Sequence, residues 1–245
     1  MTYPTLDEIA PVVPWDYFMG YVFDWKQDEH VAEIGPTGMG KSNLTYQILP
    51  LRSYVTFFGT KPRDKTLQKF ANTGGFVRIK DWPPVKGKGP LKREITAEEM
   101  PKRLLWPEVT SLHSTVTQRE IFSKAIANIY AQGSWCVVWD EFWYMCSLLK
   151  LEQEARVFLQ QARSNMISFV MGAQRPSRIP LEVFDQASHL FFTRDNDERN
   201  LERISGIGYL AAEPIRQLVA TLEQYQFLYI NTRSGHMYRT KPPLA

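Results

Sequence analysis

Gly35-Pro36-Thr37-Gly38-Met39-Gly40-Lys41-Ser42 is the stretch whose reading decides the fold. A short apolar run, 31–34, precedes it, and residues 41–49 behind it read as a helix that Pro50 ends. Gly, four residues, then Gly-Lys-Ser is the phosphate-loop pattern, and a strand before it with a helix after it is the setting the pattern needs. The glycines let successive backbone N–H groups converge on phosphate oxygens, while the helix beginning near Lys41 presents its positive dipole end. Lys41 is expected to reach the β- and γ-phosphates, and Ser42 to offer its hydroxyl to Mg²⁺. The nucleotide-binding set is therefore Gly35, Pro36, Thr37, Gly38, Met39, Gly40, Lys41, Ser42 and Asn43.

Cys136-Val137-Val138-Trp139-Asp140-Glu141 is the matching second element, an apolar strand ending in two carboxylates. A carboxylate at the carboxyl end of a neighbouring parallel strand reaches the metal beside the γ-phosphate, so Asp140 is expected to hold Mg²⁺ through water. Glu141 can then accept a proton from the attacking water. The plainer alternative is that both carboxylates cap the helix that follows. Arg163 ends a helix just before an apolar strand, 167–172, and Gln174 closes that strand. The expectation is that both lie at the edge of the sheet that carries the phosphates, with the amide orienting water or sensing the γ-phosphate. Arg163, whose helix faces away from its own site, is then a finger for a neighbouring subunit's nucleotide, which requires an oligomer.

Outward from these motifs, strands are expected at 53–58, 76–80, 135–139 and 189–192. Helices are expected at 118–131 and 151–163, and a hairpin at 226–230 and 236–240 around Arg233-Ser234-Gly235. Alternation of this kind predicts an α/β fold, a mostly parallel sheet flanked by helices with a C-terminal antiparallel β-hairpin. Residues 1–28, aromatic and proline-punctuated, read as an extension packed on a single ATPase domain over 29–245. Residues 81–109 break the alternation with four prolines and read as a surface insert. It carries a basic group, Lys86, Lys88, Lys92 and Arg93. Trp139, Phe142, Trp143 and Tyr144 read as core or interface residues.

Composition sets the outer bounds. The 245 residues carry 29 Lys plus Arg against 26 Asp plus Glu, a net charge of +3, and are 44% hydrophobic. A chain of this size and balance buries roughly 70–75% of its unfolded surface, which excludes disorder and small disulfide scaffolds. No apolar stretch approaches the roughly 20 residues of a membrane span. The first 25 residues have no basic and apolar leader, so the expected location is cytoplasmic. Cys136 and Cys146 read as buried thiols, and the four histidines have no zinc-ligand spacing. No Asn-Lys-x-Asp element points to GTP.

The stretch from Gln160 through Arg163 and Gln174 to Ser177, following Asp140-Glu141 after a helix, resembles the corresponding part of the FtsK–HerA superfamily of DNA-pumping ATPases. The resemblance runs from about Val31 to Thr240. It implies a RecA-like P-loop core, ATP and Mg²⁺ as cofactors, Arg163 as the trans finger and Gln174 as the sensor. It also implies a pentameric or hexameric ring driving double-stranded DNA without regard to sequence, for which Lys86, Lys88, Lys92 and Arg93 are the local candidates for a backbone contact, against the alternative of a solvated loop. Such a short motor core is most similar to viral and phage genome-packaging ATPases, with a capsid portal as a further partner and the host cytoplasm as its location if phage-encoded. Conjugative transfer, a protein-moving assembly or secretion factor, and a P-loop kinase are the alternatives. One departure stands out. Where many members have an Asp-Pro-Lys-like turn after the second strand, this chain reads Phe58-Gly59-Thr60-Lys61-Pro62-Arg63-Asp64, which leaves the roles of Thr60 and Lys61 open.

Overall fold

An apolar run becomes a central strand only where both of its faces are covered. The computed structural model describes residues 5–111, 113–205 and 212–244; residues 1–4 of the N-terminal extension lie outside them. The chain begins with two short helices, α1 (Leu6–Ile9) and α2 (Trp15–Tyr17). The nucleotide motif follows as β1 (His30–Ile34) and α3 (Lys41–Ile48), then β2 (Val55–Phe58), α4 (Lys65–Thr73) and β3 (Val77–Ile79). A small hairpin, β4 (Val85–Lys86) and β5 (Arg93–Glu94), precedes β6 (Lys102–Leu105) and α5 (Ser114–Gln132). Next come β7 (Cys136–Trp139), α6 (Glu152–Gln161), β8 (Ser168–Ala173), α7 (Leu181–Gln186) and β9 (Ala187–Phe192). The chain closes with α8 (Glu198–Ser205), α9 (Ala212–Thr221), β10 (Phe227–Asn231) and β11 (Met237–Thr240).

Among the described residues nine strands form one sheet in the order β11-β10-β9-β1-β8-β7-β2-β6-β3. Neighbours from β9 to β3 pair in parallel, while β10 and β11 add an antiparallel edge. This is the expected α/β architecture. Side chains alternate across a strand, and each central strand feeds two cores. Cys136 and Val138 of β7 join one apolar cluster, and Val137 and Trp139 join the other. Leu44 and Ile48 of α3 and Leu67 and Ala71 of α4 cover the first face, and residues of α5, α6, α7 and α9 cover the second. Beyond α3 the N-terminal aromatics cover the first face over β9 and β10. Phe18 lies edge-on to Phe191 and Tyr229, and Phe23 and Trp25 are buried beside it.

Three expectations are corrected. The 81–109 insert is not a surface loop throughout, because residues 102–105 are β6, a strand of the main sheet paired with β2 and β3. The strand that ends in Asp140 is not the neighbour of β1: β8 lies between them, paired with both. Pro50 does not cut α3 off cleanly but sits inside a 3₁₀ turn, Leu49–Leu51, that continues it.

The intervening β8 has to let β7 pass closely. A Cβ on Gly172 would stand 2.4 Å from the Asp140 carbonyl oxygen, backbone that cannot step aside cheaply. Gly172→Ala is therefore expected to cost about 2 kcal/mol, roughly 5 °C in Tm, by forcing the strands apart where Asp140 is set. A thermal unfolding curve superimposable on the wild type would sink this close-approach account.

Candidate functional site

In an open α/β sheet a crevice forms at the carboxyl ends of adjacent strands whose connections leave in opposite directions. From β1 the chain crosses through α3 toward β2, and from β8 it crosses through α7 to β9 on the other side, so the crevice falls between β1 and β8. The loop 35–40 opens there. Gly40, the residue before α3, has φ 98°, a left-handed conformation natural to glycine, and it turns the chain into the helix. Lys41 is buried, and its Nζ donates to the carbonyl oxygens of Gly35 (2.6 Å) and Pro36 (2.9 Å). Burial lowers its pKa, opposed by the charges of Asp140, Glu33 and Glu141.

Asp140 and Ser42 meet across the crevice. The Ser42 hydroxyl lies 3.1 Å from each Asp140 carboxylate oxygen. Burial raises the Asp140 pKa against the opposing pull of Lys61, Ser42 and Lys41. A hydroxyl beside a carboxylate is the hard-oxygen pair that Mg²⁺ takes, since this ion keeps most of its shell in water and phosphate. Among the described residues no group of three or more His, Cys, Asp or Glu forms a metal cage. The Ser42–Asp140 donor pair thus fits Mg²⁺ that arrives with phosphates.

Glu141 is held by side chains from two other strand ends. Gln174, immediately after β8, donates its Nε2 to the Glu141 oxygens at 2.9 and 3.2 Å. Lys61, after β2, brings its Nζ to 3.0 Å from Glu141 Oε1. Burial would lower the Lys61 pKa, but the bond to Glu141 and the charges of Glu141 and Asp140 outweigh it and raise the pKa. The end of β2 is itself fixed. Gln118 Nε2 donates to Gly59 and Thr60 carbonyls while its Oε1 accepts from the Tyr144 hydroxyl, in the wide turn after Glu141. The two carboxylates, for which the plainer reading was a helix cap, are bonded to Ser42 and to the Gln174–Lys61 pair.

Beneath the loop, Glu33 of β1 is fully buried, and burial raises its pKa well above the carboxylate range, offset in part by the 2.6 Å bond from Thr45 Oγ1 of α3. That bond ties α3 to β1 beneath the loop. Asn43 does not face the loop: its Nδ2 donates to the Pro243 carbonyl at 2.8 Å.

Lys41, Ser42, Asp140, Glu141 and Gln174 are thus brought together. Arg163 is not among them. It stands before β8, at the amino edge of the sheet, opposite the phosphate loop, where its Nη2 donates to Gln186 O (2.6 Å) and Ser188 Oγ (3.0 Å). Its expected place on the phosphate edge is corrected, because the residue that precedes a strand and the residue that follows it lie at opposite ends. The basic insert is also remote, on the β6 and β3 margin. Lys86 and Arg93 are both ion-paired to Glu99, Arg93 at 2.7 Å, and Lys88 and Lys92 are exposed. Trp139 and Phe142 are buried core, whereas Trp143 is partly exposed. Both cysteines are buried free thiols. No helix among the described residues is long and apolar enough to cross a membrane.

The sheet order, the loop and the two carboxylates define the architecture of the P-loop ATPases. Neither a protein-family model nor a curated protein matches the chain. Solved structures do. The genome packaging NTPase B204 of Sulfolobus turreted icosahedral virus 2, in complex with AMP, is 16% identical and superposes with a TM-score of 0.62 over 90% of this chain and 100% of that one. B204 of Sulfolobus turreted icosahedral virus, a DNA-packaging ATPase, is 18% identical with a TM-score of 0.61, over 89% of this chain and 100% of that one. The pCW3 conjugation coupling protein TcpA, with bound ATPγS, is 13% identical with a TM-score of 0.52, over 96% of this chain and 70% of that one. The likeness is one of fold.

Proposed function

We propose that this chain is an ATP-hydrolysing ring motor that moves double-stranded DNA and packages a viral genome. The observation that carries the reading is Glu141, held by Gln174 and Lys61 beside the Ser42–Asp140 pair. A switch or a scaffold needs the phosphate loop, but it has no use for a carboxylate fixed where water would attack.

In this mechanism the loop amides and the N-terminus of α3 hold the β-phosphate and Lys41 spans the β- and γ-oxygens. Ser42 and Asp140 would hold Mg²⁺, whose charge neutralises the phosphate oxygens. Glu141 accepts the proton of the attacking water, and the Gln174 amide, bonded to that carboxylate, orients the water. Arg163 acts on the next subunit's nucleotide. Lys88 and Lys92, the exposed cations of the insert, contact the DNA backbone, a sequence-independent interaction. The motor works in the cytoplasm of the infected cell, against a capsid portal. Support for the packaging reading comes from the match of 90% of this chain with the whole of B204, a genome packaging NTPase.

The test is steady-state ATP hydrolysis with and without long double-stranded DNA at fixed salt, with Glu141→Gln as the blank. Stimulation by duplex of any sequence is the expected result. Turnover indifferent to DNA, with or without a portal ring, would transfer the assignment to a protein-moving ATPase. No turnover above the blank would end the enzyme reading.

A further inference from the structure

Phosphates are one end of a nucleotide, and the groups that hold them dictate where the base must go. Ser42, Asp140 and Glu141 mark the γ-phosphate end on the β7–β8 side of the loop, so the base lies on the opposite side, toward β9 and β10. The first residues of β10 reach the same edge, since Leu228 pairs with Phe192 at the carboxyl end of β9. Just before β10 the chain makes a tight turn, closed by Gln226 N donating to Glu223 O (3.2 Å) and Glu223 N donating to Gln226 Oε1 (3.1 Å).

Tyr225 in that turn has φ 63°, a conformation that bulky residues rarely adopt. The strain sets an aromatic ring against the loop: a Cβ on Gly40 would lie 2.9 Å from Tyr225 Cδ1. The segment 241–244 is tethered beside it at two points. Lys241 Nζ lies 3.3 Å from Glu223 Oε2 on the turn, and Pro243 O accepts from Asn43 Nδ2 (2.8 Å) and Gln47 Nε2 (3.3 Å) of α3. The aromatic turn, the first two turns of α3 and this segment frame one corner of the phosphate edge, on the side away from Glu141. Strained backbone concentrates at ligand clamps, and here it carries a half-buried ring onto the last glycine of a phosphate loop.

We infer that Tyr225 stacks on the nucleotide base, with the 241–244 segment as the outer wall of the base site. This deepens the nucleotide reading above and rests on it. Every base has a π-face, so the ring contributes affinity for nucleoside triphosphates without choosing among them.

The experiment compares equilibrium binding of ATP, GTP and inorganic tripolyphosphate to the full chain and its variants. Tyr225→Asn accepts the left-handed backbone but has no ring to stack. It is expected to weaken ATP and GTP by about 10- to 100-fold and to leave tripolyphosphate unchanged. Tyr225→Phe keeps wild-type affinity for all three. Tyr225→Leu, which keeps apolar bulk against Gly40 without a planar face, repeats the comparison with the loop still packed and loses the nucleotides selectively. Equal losses for ATP and tripolyphosphate in Asn and Leu variants would show a residue that only packs the loop and would overturn the inference. Undiminished ATP binding by both would overturn it as well. A wild-type protein that binds neither ATP nor tripolyphosphate would overturn the nucleotide reading itself, an outcome visible before any variant is made.

Discussion

Glu141→Gln is expected to bind ATP within about threefold of the wild type and to hydrolyse it about 10²- to 10⁴-fold more slowly. Glutamine has the same shape, and its amide oxygen, in the place of Glu141 Oε1, still accepts from Gln174 Nε2 (3.2 Å) and Lys61 Nζ (3.0 Å). An amide oxygen cannot take a proton from water near neutral pH. The change therefore removes an interaction made only in the transition state and lowers turnover while binding is retained. Lys41→Ala behaves differently, because it deletes the cation at the phosphates and loses binding and turnover together. The measurements are ATP affinity by equilibrium titration and the single-turnover hydrolysis rate. Hydrolysis at the wild-type rate by Glu141→Gln would remove Glu141 as the base.

The contrast between these variants could be drawn from sequence, because the motifs that carry it are local. The strand–loop–helix unit at 30–48, the apolar strands β7 and β8, and the closing hairpin are all signalled by patterns a few residues long. Strand order is not local. That β8 lies between β1 and β7 follows from how the crossovers pack, and no spacing in the chain encodes it. β6 was hidden by its composition. In Lys102-Arg103-Leu104-Leu105 half of the residues are cationic, and Arg103 is nevertheless buried. Its guanidinium bonds the Met100, Ile95 and Thr96 carbonyls and lies over Trp135 and Trp82. A buried arginine of this kind reads as surface until its partners are known. α4 carries a legible signal that the motif-led reading does not use. Asp64 caps it by accepting from Leu67 N at 2.9 Å, and Leu67, Phe70 and Ala71 share one face. Lys61 is marked in the sequence only by departure from an expected turn, because its partnership with Glu141 joins the ends of two strands far apart in the chain. Tyr225 gave no signal, since its contact with Gly40 joins opposite ends of the chain.

Arg163→Ala is expected to bind ATP normally and to lose turnover by about 10³- to 10⁵-fold, the range of an arginine finger. Its position at the amino edge, anchored to Gln186 and Ser188 of the same subunit, puts it out of reach of its own Glu141. A ring built from head-to-tail contacts sets one surface of each subunit against a different surface of the next. An arginine on the edge opposite the phosphate loop is therefore available to a neighbour. Mixing Arg163→Ala with Glu141→Gln separates this from a role in holding β9. In the proposed ring each parent is expected to be inactive, yet in a random equal mixture about a quarter of the interfaces would pair an intact Glu141 with an intact Arg163. Recovered hydrolysis from two inactive proteins is the expected outcome, and it would rise and fall with the mixing ratio. A purely structural Arg163 predicts the reverse: the Ala variant has a lowered Tm, and its defect stays in its own subunit, where Glu141→Gln partners cannot relieve it. Arg163→Lys sharpens the distinction, because lysine keeps the charge but not the planar fork that spreads over transition-state oxygens. It should melt near the wild type and still turn over poorly.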